Sequence, residues 1–144
     1  MLGAEVEINE TYVKSGQVKL LMHPMLDHGD RSLQTHQAAE CAGEQGQFWP
    51  MHDLFFEQQG TLSSGDVRQA ITELAATLPL DQASFQTCLA EQRYADLVQA
   101  QDEQRKSLGI RTRPTIMVND QTVIGPQPFA TFQQLIEAEL SQQN

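Results

Sequence analysis

Residues 38–56 read AAECAGEQGQFWPMHDLFF, and the packing chemistry changes partway along that stretch. Its first part is small: Ala38, Ala39, Cys41 and Ala42 suit close helix packing. With Ser32 as N-cap they complete a helix whose inner face carries Leu33, His36 or Gln37, Ala39 or Glu40, and Cys41. Gly43 to Gly46 loosens that helix. Phe48, Trp49, Phe55 and Phe56 then crowd four aromatic rings around Met51 and His52, a payload that calls for a core anchor.

Working outward, the chain alternates in character. Val6, Ile8, Tyr12 and Val13 fit the end of a helix only loosely, and Ser15-Gly16 stops it. Val18-Lys19-Leu20-Leu21-Met22 is a short apolar run ended by His23-Pro24, which predicts a strand buried on both faces. Beyond the aromatic stretch, Ser63 or Ser64 opens a helix through Val67, Ile71, Leu74 and Ala75, and Pro79 ends it. Asp81 caps the next helix, where Phe85, Cys88 and Leu89 fall at i, i+3 and i+4 and turn Cys88 inward. A longer polar helix marked by Tyr94, Leu97, Val98 and Leu108 closes at Gly109. After Arg111-Thr112-Arg113-Pro114, Thr115–Asn119 and Gln121–Ile124 form a hairpin about Asp120. Phe129, Phe132, Leu135, Ile136 and Leu140 give a terminal helix capped by Thr131. No repeat or linker interrupts the chain, so 144 residues are read as one domain.

Composition narrows the function. A formal charge of −10 repels phosphate backbones and anionic lipid, which argues against nucleic acid and membrane surfaces as partners. No apolar run approaches the roughly 20 residues of a membrane span, and the acidic start offers no export signal. Cys41 and Cys88 lie far apart, which excludes both a CxxC redox pair and a cysteine-rich zinc site; composition leaves their redox state open. His23, His28, His36 and His52 show no i, i+4 zinc-protease spacing, so neither metal nor cofactor is expected.

The motifs add a family. Ala38-Ala39-Glu40-Cys41-Ala42, Gln45-Gly46-Gln47-Phe48-Trp49 and Met51-His52-Asp53-Leu54-Phe55, followed by Phe85-Gln86-Thr87-Cys88-Leu89, resemble the signature of the DsbA-like thiol-disulfide oxidoreductases. Gly109-Ile110-Arg111 through Pro114-Thr115 is similar to their cis-proline loop, and Ile124-Gly125 with Phe129 to the segment after their last strand. The resemblance covers nearly the whole chain. It implies an α/β thioredoxin-like fold with a DsbA-type helical insertion over about residues 31–108, missing the first central strand and the CxxC motif that family members place upstream.

Further expectations follow from that resemblance. It places Cys41 and Cys88 together in the insert, where a structural disulfide is expected; the bland alternative is two buried free thiols. Pro114 is the counterpart of the family's cis-proline, which offers backbone groups to an extended client. Within the loop Thr112, Arg113, Pro114, Thr115, the family's Gly-Thr is replaced by Thr112-Arg113, which puts a long cation where client backbone is received. The absent central strand would leave open edges on the flanking strands, which predicts a homodimer through those edges, with a protein or peptide as the other expected partner. The function implied is an oxidoreductase homologue that is silent because CxxC is absent, with no catalytic residue assigned. The alternative is a noncatalytic binding or assembly module on the same scaffold; a kappa-class glutathione transferase relative ranks third. The family expectation for location is periplasmic or extracytoplasmic, or cytoplasmic should Met1 be the true start.

Overall fold

The computed structural model describes residues 3–142. In chain order the elements are α1 (Ala4–Ile8), which widens into a π turn over Asn9–Val13; then α2 (Asp30–Gly43), α3 (Phe48–Glu57), α4 (Gln59–Ser63), α5 (Val67–Ala75), α6 (Gln82–Ala90) and α7 (Ala95–Ser107); then β1 (Thr115–Val118), β2 (Gln121–Ile124) and α8 (Phe129–Gln142). The chain forms two units, Met1–Met22 with Lys106–Asn144, and His23–Arg105.

The helical unit is built on the small residues of α2. Ala38, Ala39, Cys41 and Ala42 are all within 3% of full burial, and Met51, Ile71, Phe85 and Cys88 from α3, α5 and α6 fill the space they leave. Each fully buried side chain of this size contributes roughly 1.5–3 kcal/mol relative to exposure. The aromatic anchor is only partly core: Met51, His52 and Phe55 are buried, Phe48 and Trp49 half-buried, and Phe56 exposed. Phe48, Trp49 and Phe56 instead pack around the His52 ring, at centroid separations of 6.2, 5.2 and 4.7 Å.

Helix starts follow backbone geometry rather than hydroxyl position. Asp81 caps α6, its carboxylate accepting from the Ser84 N–H at 2.9 Å. The cap of α5 is Asp66, which accepts from Arg68 N–H at 2.9 Å and Gln69 N–H at 3.3 Å; Ser63 and Ser64 instead bond back to the Gly60 carbonyl at the end of α4. Asp66 is the cap because α4 runs through Ser63 and the backbone turns into α5 only at Asp66, whose charge also adds favourably to the helix dipole. Ser32 lies inside α2, which begins after Gly29, and its hydroxyl accepts from the His28 N–H at 3.1 Å. Thr131 likewise lies inside α8, which begins at Phe129.

One buried charge cluster organises the segment before α2. Asp102 and Arg105 are only 2% and 5% exposed. Asp102 Oδ1 accepts from Arg105 Nε at 2.8 Å and from the Leu26 N–H at 3.1 Å, and lies 2.7 Å from Arg105 Nη2, which also reaches Asp27 Oδ1 at 3.2 Å. One carboxylate thus ties α7 to the loop over Leu26 and Asp27.

In the other unit, Ile8, Tyr12, Phe132 and Ile136 form a second core against Val18, Ile116, Val118 and Val123. Strands β1 and β2 pair antiparallel, from Thr115 opposite Ile124 to Val118 opposite Gln121. Asn119 takes a φ of 50° in the tight turn, a left-handed conformation that asparagine tolerates. Residues Val18–Met22 form no strand. Among the described residues they have no ladder partner, and a strand exists only by pairing. Their burial alternates, with Lys19 and Leu21 exposed, which corrects the expectation of burial on both faces.

Candidate functional site

The loop over Thr112–Thr115 stands at the head of β1. Thr112, Arg113 and Pro114 are exposed and Thr115 half-buried, and the Arg113–Pro114 peptide is cis. Two hydrogen bonds hold the loop, one to β2 and one within it. The Pro114 carbonyl accepts from the Gly125 N–H at 2.9 Å, fastening it to the end of β2, and the Thr115 hydroxyl donates to the Thr112 carbonyl at 2.7 Å. Gly125 sits at a φ of 80°, a conformation open to glycine at no steric cost. The loop is therefore a solvent-facing platform that carries Arg113 and is tied to the end of β2.

Cys41 and Cys88 belong to the helical unit and are joined in a disulfide, with Cα atoms 5.9 Å apart. The sulfurs link α2 to α6 where both helices turn to the core, and the two residues are 1% and 0% exposed. Sequence reading missed the polar cover over this bond. Glu44 Oε1 lies 4.0 Å from Cys88 Sγ and is gripped by Arg93 Nη1 at 2.8 Å and the Tyr94 hydroxyl at 3.0 Å. Those two partners hold the Glu44 carboxyl below the usual carboxylate range. The signal was faint because Glu44 and Arg93 are distant in sequence and read as ordinary surface charges.

A second titratable group lies inside this unit. Burial pushes the His36 imidazole down to about 4 from its ordinary value of 6.5; His52 pushes the same way, and Asp102 opposes both. The folded chain thus holds His36 neutral while an unfolded chain would protonate it near pH 6.5. This stability is fully present above pH 6.5 and is lost as pH falls through about 4. We expect it to amount to about 2 kcal/mol, below the full value of the shift because the ring keeps some solvent contact. Urea unfolding at a series of pH values checks this. The profile of wild type minus His36→Gln should slope between pH 6.5 and 4, and a flat difference would rule the histidine out.

Among the described residues no group of three or more His, Cys, Asp or Glu side chains is placed to hold a metal ion, and no helix is long and apolar enough to cross a membrane.

Comparison with known proteins places these features. A family model described as thioredoxin matches residues 2–138. The Na(+)/H(+) antiporter NhaA 3 of Salinispora tropica is 33% identical over 126 residues, covering 85% of this chain and 19% of the antiporter. NhaA 1 of Salinispora arenicola is 33% identical over 96 residues, covering 67% and 14%. Disulfide bond formation protein D of Bacillus subtilis is 24% identical over 138 residues, covering 93% of this chain and 62% of that protein. The chain thus spans less than a fifth of either antiporter and less than two thirds of the Bacillus protein. The crystal structure of oxidised BdbD from Bacillus subtilis superposes with a TM-score of 0.81 at 24% identity, over 94% of this chain and 76% of BdbD. With the residue match spanning nearly all of its length and the BdbD-like fold around it, this chain belongs to the thioredoxin family.

Proposed function

We propose that this chain is the scaffold of a DsbA-like thiol-disulfide oxidoreductase and that, as these 144 residues, it does not itself exchange disulfides with clients. One observation carries the reading. Its two cysteines are bonded to each other and lie at 1% and 0% exposure, so no thiol is free. Exchange begins with a thiolate approaching a sulfur, and here the helices bar that approach by burying both sulfurs. The remaining family feature, the Thr112–Thr115 loop, has the form of a client-facing platform without sulfur chemistry of its own.

Insulin reduction by dithiothreitol tests this. The chain should leave the rate of turbidity onset at the dithiothreitol-only level. An acceleration that disappears in a folded Cys41→Ser or Cys88→Ser variant would overturn the proposal, because the Cys41–Cys88 pair would then be catalytic.

A second reading is supported by the two relatives at 33% identity, both named as antiporters far longer than this chain. On that reading the thioredoxin-fold stretch is a noncatalytic binding module carried by a larger polypeptide. Both readings require the same silence in the insulin assay, and both leave the hairpin and the helical unit as the working surfaces.

A further inference from the structure

Three helices of the His23–Arg105 unit line an open-mouthed cavity of about 210 Å³. Each gives it one stripe at helical spacing: Gln34 and Gln37 from α2, Arg68 with Ile71 and Thr72 from α5, Gln86 and Leu89 from α6. Its walls are pinned, because Cys41 stands one turn beyond Gln37 on α2 and is bonded to Cys88, which neighbours Leu89 on α6. The cavity is thus framed by rigid elements rather than by loops.

Its polar groups are unmet. Gln37 is only 5% exposed as a residue, and among the described residues no protein group pairs with its carboxamide, whose polar atoms are not sealed from solvent. The Gln34 amide nitrogen donates to Asp30, which orients Gln34 Oε1 as an acceptor, and that buried oxygen has no donor. Gln86 Nε2 donates to the Thr72 hydroxyl at 3.3 Å. A buried acceptor without a donor is destabilising, so Gln34 Oε1, together with the unpaired Gln37 carboxamide that lines the same space, marks a place for a ligand.

The chemistry of that set selects the ligand. Gln37 wants both a donor and an acceptor, and Gln34 Oε1 wants a donor. The charged lining residues, Asp30 and Arg68, are exposed, so no buried countercharge awaits an ion. Leu33, Ile71 and Leu89 add apolar surface. The space is smaller than a drug-sized pocket and suits one residue with its flanking amides. We infer that this cavity binds the amide groups of an extended peptide around one apolar side chain, with Gln37 reading the amide. The inference stands whether or not the chain exchanges disulfides, since it uses neither sulfur as a reactive group.

The test is a ¹⁵N NMR titration of the whole chain with N-acetyl-leucinamide, following the glutamine side-chain NH₂ signals. The expected result is a saturable shift of the Gln37 signal, with neighbours in α2, α5 and α6, at a Kd on the order of 1 mM. Gln37→Leu should weaken binding by about tenfold while melting no lower than wild type, because it replaces an unmet carboxamide with an apolar group. Leucinamide and N-acetyl-leucine, which bring charges, should bind more weakly. Unsaturable shifts, shifts spread over the whole surface, or equal binding by Gln37→Leu would overturn the assignment. Should Gln37→Leu fail to fold, the wild-type shift map alone decides: movement confined to the three helices supports the site, and movement elsewhere refutes it.

Discussion

Reduction of the Cys41–Cys88 bond is expected to lower the stability of the helical unit by about 4 kcal/mol. The figure follows from the 47-residue separation of the two cysteines, which sets the entropy the cross-link removes from the unfolded chain. The folded side of the balance changes little, because both thiols stay inside the core as small apolar groups. Replacing both cysteines by alanine should cost more, since the lost sulfur volume leaves space between α2 and α6 that close-packed neighbours cannot collapse to fill. Urea unfolding followed by fluorescence of Trp49, the chain's one tryptophan and part of this unit, gives the measurement in oxidised and reduced buffers. A loss below about 1 kcal/mol on reduction, well under the chain-entropy value, would mean that the bridge does not brace this unit, and the structural role assigned to the two cysteines would fall with it.

What the sequence made legible divides by physical cause. Phe85, Cys88 and Leu89 were readable because a stripe at i, i+3 and i+4 reports burial directly, and Asp81 because a carboxylate before such a stripe has one common use. The hairpin from Thr115 to Ile124 announced itself through two short apolar runs about a turn. The pairing of Cys41 with Cys88 was not in the spacing; it came from the family resemblance. Val18–Met22 misled because an apolar run shows the wish to be buried and says nothing about who supplies the ladder. Ser63 and Ser64 misled because a cap is fixed by where the backbone turns, and α4 moved that point to Asp66. The candidate cavity was half visible, since position 37 stood as one of two choices for the inner face of α2. Glutamine carries no strong periodic signal, so its burial beside Ile71 and Leu89 emerges only in three dimensions. Asp102 and Arg105 were silent for a related reason: an acidic and a basic residue three apart on a polar helix read as a solvated pair.

That silent pair carries the other large effect. Asp102→Ala is expected to cost about 3–5 kcal/mol, the range for removing one partner of a buried ion pair. The deletion strips Arg105 of its shorter ionic contact at a site where the guanidinium is nearly sealed from water, and deprives the Leu26 N–H of its acceptor. Asp102→Asn separates the two contributions. Its side-chain oxygen can still receive the Leu26 N–H, so the loop contact survives while Arg105 loses the nearer carboxylate charge and keeps that of Asp27, and the loss should be smaller than for alanine. Replacing the pair together, Asp102→Leu with Arg105→Met, should recover much of the stability, because an apolar pair of similar volume avoids the desolvation of both ions. Urea denaturation of the four chains gives the energies, and hydrogen exchange at the Leu26 amide shows whether the loop has been released. A cost for Asp102→Ala within that of an ordinary surface substitution would sink the argument, as would a double variant no more stable than the single one. The second outcome in particular would show that packing around α7, and not the ion pair, holds the Leu26–Asp27 segment in place.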